Sequence, residues 1–228
     1  MFHTEEQKKA AAWQATAEVK DGMVLGLGTG STVYYLIQKL SERLHDGLQF
    51  HATATSLRTE EWAANYGIAL LPLSKAETIH LAIDGVDAID PDFYSIKGGG
   101  GALFREKVIA SKALRVIWIM DQSKLKDSLN GEILPVEVPA FAVPYVEEQA
   151  ARMGFASALR MKDNSAFLTD NGNNILDLTG NSGLDYRLAS TRLKSMTGIL
   201  ETGLFENRCE KIIVGTSNGV EVRRNPFG

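Results

Sequence analysis

The sequence predicts an α/β fold: an open, mostly parallel sheet covered by helices, with a smaller α+β domain inserted late in the chain. Along residues 1–129, short apolar runs alternate with helical segments, and each run is apolar throughout rather than at every second position. Strands of that kind are buried on both faces, as in a parallel sheet. The pattern changes near Asn130, where Pro135, Pro139 and Pro144 interrupt an extended stretch. This change predicts a second domain.

The main domain is predicted over residues 1–129 and 208–228. Its first helix ends at the Asp21-Gly22 pair, and glycine or aspartate closes most later elements. A final apolar run, 211–216, predicts a return to the main sheet. The remaining predicted elements are strands at 23–27, 49–54, 79–83 and 115–120, and helices at 5–19, 33–44, 59–66 and 102–112.

The small domain is predicted over residues 130–207. Helical segments at 145–153 and 188–193 alternate with extended segments in a β-α-β-β-α-β order. A hairpin is expected around the Asp170-Asn171-Gly172 turn, because this triplet lies between two extended segments.

Composition excludes several classes of protein. The 228 residues contain 24 basic and 28 acidic side chains, a net charge of −4, which argues against nucleic-acid and anionic-membrane partners. No apolar run reaches the ~18 residues of a membrane span, and the start of the chain lacks the features of a signal peptide. One cysteine, Cys209, rules out an internal disulfide. We therefore expect a cytoplasmic protein.

A first glycine loop, Gly26-Leu-Gly-Thr-Gly-Ser-Thr32, joins a predicted strand to a helix. Such turns direct backbone N–H groups and a helix N-terminus at an anion. No lysine follows Gly30, so the loop is not a P-loop, and Ser31 stands where a dinucleotide fingerprint has its third glycine. The hydroxyls of Thr29, Ser31 and Thr32 suit a single phosphate group. A tight turn without a ligand is the alternative.

A second feature is Asp84-Gly-Val-Asp87, at the end of a predicted strand. Carboxylates at this place fit proton transfer, a metal ion or hydroxyl binding, and the spacing does not match an EF-hand. A solvated acidic turn is the alternative, and we assign Asp90 and Asp92 to it.

The most specific feature is Lys97-Gly-Gly-Gly-Gly-Ala-Leu-Phe-Arg-Glu106, in which a cation and four glycines precede a helix. Lys97 and bare backbone amides form a plausible oxyanion pocket. Glu106 lies on an otherwise apolar stripe of the helix. Poor hydration there favours its neutral form, whereas the helix N-terminus favours the ionised form. A first-turn glutamate stabilised by the helix dipole is the alternative.

Two lysines are weaker candidates. Lys124 follows a predicted strand in Asp121-Gln-Ser-Lys124, and Lys8 lies in the first helix. Each could hold a phosphate, although either one alone reads as a surface lysine. Each motif nevertheless follows a predicted strand or begins the next helix. In open parallel sheets, ligands bind beyond the carboxyl ends of the strands, which is the edge where these motifs are expected. The four histidines show no metal-ligand spacing.

Four segments of the sequence resemble those of type A ribose-5-phosphate isomerases in their residues, order and spacing. They begin at Gly26, Asp84, Lys97 and Asp121. The segments Leu134-Pro-Val-Glu-Val, Thr169-Asp-Asn-Gly-Asn and Gly203-Leu-Phe are similar too, so the resemblance covers nearly the whole chain. It implies a Rossmann-like domain with a small ferredoxin-like domain, usually in a homodimer. It also implies a sugar-phosphate substrate, interconversion of ribose 5-phosphate and ribulose 5-phosphate, and neither metal nor organic cofactor.

The resemblance also implies roles for individual residues. Glu106 would be the base that moves a proton between C1 and C2 through an enediolate. Lys97 and the neighbouring glycine amides would stabilise the oxyanion, while Asp84 and Asp87 would bind hydroxyls and help to open the sugar ring. The phosphate would be held by the first loop, by Lys124 and by Lys8. The implied substrate-binding residues are Thr29, Gly30, Ser31, Thr32, Gly98, Gly99, Gly100, Lys124 and Lys8.

Two positions depart from the family pattern, Ala88 where Glu is frequent and Phe104 where a small residue is frequent. Neither carries a chemical role in this assignment, so the departures bear on rate more than on reaction type. Other readings are a sugar-phosphate-binding domain without turnover, and a different enzyme of the same fold group, such as an amino-sugar phosphate isomerase or a coenzyme A transferase.

Overall fold

Helices and strands alternate in the computed structural model, which describes residues 3–181, 183–206 and 208–227. The helices of at least two turns are α1 (Thr4–Ala15), α2 (Ser31–His45), α3 (Leu57–Asn65), α4 (Leu103–Lys112), α5 (Val143–Arg152) and α6 (Tyr186–Lys194). The strands are β1 (Val24–Leu27), β2 (His51–Ala54), β3 (Leu81–Gly85), β4 (Ala88–Ile89), β5 (Ser95–Ile96), β6 (Val116–Asp121), β7 (Leu134–Val138), β8 (Phe155–Leu159), β9 (Met161–Lys162), β10 (Ser165–Ala166), β11 (Asn174–Gly180), β12 (Glu201–Thr202), β13 (Leu204–Phe205), β14 (Lys211–Thr216) and β15 (Gly219–Arg224).

The chain forms two compact units. The first contains Met1–Val86, Arg105–Lys124 and Asn207–Gly228, and the second contains Asp87–Phe104 and Leu125–Glu206. This division assigns residues 87–104 to the second unit, whereas the sequence pattern assigns them to the main domain. The predicted domain boundaries stay a prediction. No helix of the described residues is long and apolar enough to cross a membrane.

The first unit is built on a six-stranded sheet in the order β15-β14-β6-β3-β1-β2. All neighbouring pairs are parallel except β14 with β15. Leu25, Ile83 and Ile119 on three of the strands are buried in its core. The predicted parallel sheet and the return of residues 211–216 to it are therefore confirmed. Strand β15 was missed because its side chains are mostly exposed, so it lacks an apolar run.

Two glycines let helices pack closely on this sheet. A Cβ at Gly26 would lie within 2.4 Å of Ile109 on α4, and one at Gly215 would lie within 1.9 Å of the Gln7 carbonyl oxygen on α1. Glycine at these places therefore allows a helix to approach the strand backbone, which a larger residue would prevent.

The second unit contains a four-stranded antiparallel sheet in the order β12-β7-β11-β8. Helices α5 and α6 pack against it through Val146 and Leu193, which are buried. This arrangement matches the predicted β-α-β-β-α-β order. A separate three-stranded sheet, β13-β5-β4, lies in the same unit.

The predicted hairpin was placed incorrectly. Strand β8 does pair with β11, but a small hairpin of β9 and β10 lies between them and turns at Asp163 and Asn164, which both have positive φ. The 170–172 turn exists, yet it serves a different purpose. With its neighbours Thr169 and Asn173, Asn171 donates a hydrogen bond to one oxygen of the buried Glu137, at 2.9–3.0 Å.

Candidate active site

The first glycine loop lies at the carboxyl edge of the six-stranded sheet, where β1 passes into α2. Gly30 is the N-cap of α2 and has φ +121°, a conformation that favours glycine. Its carbonyl accepts the first helical hydrogen bond, from Tyr34 N–H. Ser31 is exposed at the helix N-terminus and Thr32 is buried. The predicted passage from strand through glycine turn to helix N-terminus is therefore present, and the binding of an anion there stays a prediction.

The Thr29 side chain is part of a cluster of hydroxyl groups. Its hydroxyl hydrogen-bonds to the hydroxyls of Thr55 at 2.7 Å and Ser56 at 2.8 Å. Thr59, in turn, donates to the Gly28 carbonyl at 2.7 Å. This hydroxyl cluster ties the loop after β1 to the start of α3. Thr29 therefore stabilises the loop through its side chain, and the predicted phosphate contact of Thr29, Ser31 and Thr32 stays a prediction.

Asp84 is buried near the end of β3, the strand next to β1. Its Oδ1 accepts from the N–H of Thr29 at 3.0 Å and from Gly85 at 2.7 Å. The Asp84 carboxylate occupies the space that a Cβ at Gly28 would need. The glycine loop and this aspartate, predicted independently from the sequence, are therefore parts of one local structure.

Lys124 ends a short helical turn, Gln122–Lys124, directly after β6 at the same sheet edge. The turn is joined to α1, because Gln122 N–H donates to the Gln7 side chain at 3.3 Å. Lys8, the next residue of α1, forms an ion pair with Glu5 at 2.6 Å. The structure thus brings the start of α1 to the turn that carries Lys124. Gln7 was missed by the sequence analysis, since nothing local marks it as a contact residue.

Glu106 lies in the first turn of α4 and is only 4% exposed. The predicted stripe also contains Ala102, Leu103, Ile109 and Ala110, which are buried as well, and Ala113, which is partly exposed. The predicted position of a carboxylate on an apolar helix face is confirmed.

In the second unit, Lys97 is 2% exposed and follows β5. Its N–H donates to the Gly203 carbonyl at 2.9 Å, and its Nζ lies 5.5 Å from the centroid of the Phe205 ring. A Cβ at Gly203 would lie within 2.3 Å of the Lys97 carbonyl oxygen, so glycine is required there. The Gly203-Leu-Phe segment therefore holds Lys97, a role that its sequence did not reveal.

The glycine run after Lys97 forms a turn closed by a hydrogen bond of 2.9 Å from Gly101 N–H to the Gly98 carbonyl. Gly98 and Gly101 have φ values of +109° and +78°. Gly99 N–H donates to Asp87 Oδ2 at 2.7 Å. Asp87 is thus itself a support of the glycine run, while Gly99 and Gly100 are exposed.

The assignment of Asp90 and Asp92 to a solvated turn was wrong for Asp90. The Asp90 side chain is only 6% exposed, and Arg187 pairs with both aspartates at 2.7 Å. Asp90 Oδ1 also accepts from the N–H groups of Asp92 and Tyr94. These residues are structural. Among the residues that the structure describes, no group of three or more His, Cys, Asp or Glu side chains could hold a metal ion.

Comparison with known proteins agrees with this arrangement of motifs. The family model for ribose 5-phosphate isomerase A (phosphoriboisomerase A) matches residues 51–219. The chain belongs to this family. A ribose-5-phosphate isomerase A of Bacillus mycoides is 45% identical over 215 residues, which are 94% of this chain and 97% of the relative.

Solved structures of ribose-5-phosphate isomerases have the same fold. A D-ribose-5-phosphate isomerase in complex with phospho-erythronic acid superimposes with a TM-score of 0.94 at 35% identity, covering 98% of this chain and 100% of the other. The Plasmodium falciparum enzyme gives 0.93 at 34% identity, covering 97% and 99%. The family match includes Asp84, Lys97, Glu106 and Lys124, and the loop at 26–32 precedes it.

Proposed function

We propose that this chain interconverts D-ribose 5-phosphate and D-ribulose 5-phosphate and that Glu106 is the base of the reaction. Membership of the ribose 5-phosphate isomerase A family supports the reaction. The observation that supports the base is the burial of Glu106 on the apolar stripe of α4. Isomerisation needs a group that can both take up and return a proton.

The proposed step moves one proton between neighbouring carbons. Glu106 removes the proton from C2 of the open-chain aldose, and the electron pair of the broken C–H bond forms the C1=C2 bond of an enediolate. The carbonyl oxygen at C1 then carries the negative charge. Return of the carbon-bound proton to C1, with transfer of the O2 proton to the O1 oxyanion and formation of the C2=O2 bond, gives the ketose. Atoms and electrons balance without an external oxidant or reductant.

The other residues are proposed to bind the substrate and to stabilise charge. Lys97 and the amides of the glycine run would stabilise the enediolate oxygen, since preorganised donors act strongly on developing charge. Asp84 and Asp87 would accept hydrogen bonds from sugar hydroxyls. The phosphate would bind to the N-terminus of α2, with the Ser31 and Thr32 hydroxyls, Lys124 and Lys8. Because the Thr29 hydroxyl contacts Thr55 and Ser56 and its N–H donates to Asp84, its part would be to hold the phosphate-binding loop in place.

We also propose that the protein acts in the cytoplasm, in pentose phosphate metabolism, as a homodimer. The dimer is supported by apolar side chains at the surface of the second unit, where Phe141 is 99% exposed and Tyr145 and Leu200 are about half exposed. Exposed apolar clusters commonly mark protein interfaces. The mass of the protein in solution is the direct measurement.

The Glu106→Gln variant tests the proposed base. It keeps the size of the side chain and removes its basicity, so kcat should fall by about 10²–10⁴-fold, the typical contribution of a general base. Binding of phospho-erythronic acid should remain close to wild type. Glu106→Asp should retain part of the activity, because its carboxylate is withdrawn by only one methylene. Glu42→Gln, on the exposed face of α2, is the matched control.

Exchange of the C2 proton of ribose 5-phosphate with solvent, followed by NMR in D₂O, measures the step directly. The Gln variant should lose this exchange together with turnover. Exchange at the wild-type rate would show that Glu106 is not the base and would direct attention to Asp84 or Asp87. A wild-type protein that forms no ribulose 5-phosphate would contradict the reaction itself.

A further inference from the structure

We infer that Arg160, held by Asp177, is a positioning residue that sets the orientation of the peptide planes in the glycine run after Lys97. This inference rests on the proposed function, in which the amides of that run stabilise the enediolate oxygen. Arg160 lies between β8 and β9 and Asp177 lies on β11, all within the second unit. Nothing in the sequence pattern marked either residue as functional.

The guanidinium of Arg160 contacts two groups with different nitrogens. Its Nη1 donates to the carbonyl of Gly98 at 2.6 Å and to that of Gly99 at 3.2 Å. Its Nε donates to Asp177 Oδ2 at 2.9 Å, and its Nη2 donates to Oδ1 of the same carboxylate. A planar fork of this kind fixes the guanidinium in one orientation, which an ammonium group could not do.

The Arg160–Asp177 pair is well placed to act as a rigid support. The two side chains are 17% and 22% exposed, so the pair is more shielded from solvent than an ordinary surface ion pair. The Arg160 backbone is also fixed, since its N–H donates to Ile175 on β11 and its carbonyl accepts from Phe167. Most long surface arginines lack such anchoring, and holding this one rigidly costs side-chain entropy. The hydrogen bonds of the pair to Gly98 and Gly99 offset that cost by stabilising the glycine run.

The group that the pair stabilises is the glycine run, whose residues have the greatest backbone freedom of any residue type. A trans peptide is planar, so fixing a carbonyl also fixes the N–H of the next residue, which points the opposite way. The peptide between Gly98 and Gly99 is held on both sides, by Arg160 at its carbonyl and by Asp87 at its N–H. The peptide between Gly99 and Gly100 is held by Arg160 at its carbonyl.

The consequence is a defined direction for the Gly100 amide. Because Arg160 binds the Gly99 carbonyl, the Gly100 N–H points away from the guanidinium. Gly100 is an exposed residue of the second unit. The ring of Phe167 supports the same turn from the other end, because it occupies the space of a Cβ at Gly101. A preorganised donor needs this kind of support, since donors that must reorient during the reaction stabilise charge less well.

The test compares Arg160→Gln with Arg152→Gln, which removes an arginine from an exposed i,i+4 pair with Glu148 in the same unit. Arg160→Gln should lower kcat by about 10–100-fold, in line with the cost of a misplacement of about 1 Å, and change KM by less than about threefold. The Arg152 variant should match the wild type. Thermal denaturation of each variant checks that the fold is retained.

Two further readouts separate positioning from a general loss of stability. Hydrogen–deuterium exchange should speed up in the peptide that contains residues 97–101 of the Arg160 variant and not of the Arg152 variant. Guanidinium ion at non-denaturing concentration should restore part of the kcat of Arg160→Ala and have no such effect on Arg152→Ala. If Arg160→Gln destabilises the fold, Asp177→Asn gives the second variant, with the same split between kcat and KM expected.

The outcomes distinguish this inference from the proposed function. An active wild type together with an unchanged kcat in both the Arg160 and Asp177 variants would overturn the positioning role and leave the proposed function standing. Raised KM with unchanged kcat, or unchanged exchange at residues 97–101, would also overturn it. A wild type without isomerase activity would overturn both.

Discussion

A single methyl group added at Gly28 should disable the carboxylate of Asp84. A Cβ at this position would lie 1.9 Å from Asp84 Cγ and Oδ1, whereas ordinary van der Waals contact begins at 3.4 Å. The two groups must therefore separate by about 1.5 Å. The strand neighbours cannot relax easily, because Gly28 N–H is bonded to the Ile83 carbonyl at 3.0 Å and Asp84 is 3% exposed. The side chain of Asp84 has to move.

The size of the effect follows from that displacement. A misplacement of about 1 Å costs on the order of 10²-fold in rate, so kcat/KM of Gly28→Ala should fall by about 100-fold or more. Overpacking a buried site costs about 1–3 kcal/mol, which lowers the Tm of a chain of this size by about 2–12 °C. Gly183→Ala is the control, since the nearest atom to its Cβ would lie at 3.4 Å.

The assay is isomerisation of ribose 5-phosphate by each single variant and by a double variant with Asp84→Asn. If Gly28→Ala acts through Asp84, adding it to the Asp84→Asn variant should lower kcat/KM only slightly further. Effects of two changes on one functional unit are not additive. Losses that multiply in the double variant would refute the reasoning. So would a Gly28→Ala protein with wild-type kcat/KM.

The remaining predictions concern binding, acid stability and thiol reactivity. Lys124→Ala should mainly raise KM with a smaller change in kcat in steady-state kinetics, and a large kcat loss at constant KM would place Lys124 at the reacting end instead. Hydrogen bonds from Lys211 and Arg115 hold the pKa of Glu18 below its ordinary 4.5, so this carboxylate stabilises the fold above about pH 4.5 and stops doing so as the pH falls through its lowered pKa. The Tm advantage of wild type over Glu18→Gln should therefore shrink on acidification, and a constant difference down to about pH 3 would contradict this. Burial raises the pKa of the Cys209 thiol to about 12, so a disulfide reagent at about pH 8 should label it only after unfolding, and rapid labelling of the native protein would disprove its burial.

Much of the fold follows from local sequence because parallel strands carry a strong signal. Each inner strand of the first unit is apolar at nearly every position, and the apolar stripe of α4 repeats with the helical period. These signals located the sheet, the helix of Glu106 and the loops at the strand ends. The exposed strand β15 has no such signal. The tight turn at Asp163 and Asn164 does have a signal in the sequence, because both residue types tolerate positive φ in hairpins.

Contacts between distant positions could not be predicted in the same way. Arg187 pairs with an aspartate 97 residues away, and Arg160 reaches a carbonyl 62 residues away. The sequence around each arginine does not distinguish it from an arginine on the surface. The partner of each one can therefore be identified only from the three-dimensional fold. The same holds for the Thr29 hydroxyl, which suggested a phosphate ligand in the sequence and binds Thr55 in the structure.

The Thr169-Asp-Asn-Gly-Asn segment shows why a resemblance of sequence need not indicate chemistry. Its Thr169, Asn171 and Asn173 side chains all donate to Oε1 of Glu137, which is fully buried on the central strand β7. Leaving a buried acceptor without donors costs about 1–3 kcal/mol or more, so these residue types stabilise the fold. The Lys97-Gly-Gly-Gly-Gly segment differs in this respect. Gly99 and Gly100 are exposed and follow the buried Lys97, and fixed amides next to a buried cation can stabilise the charge of a bound substrate.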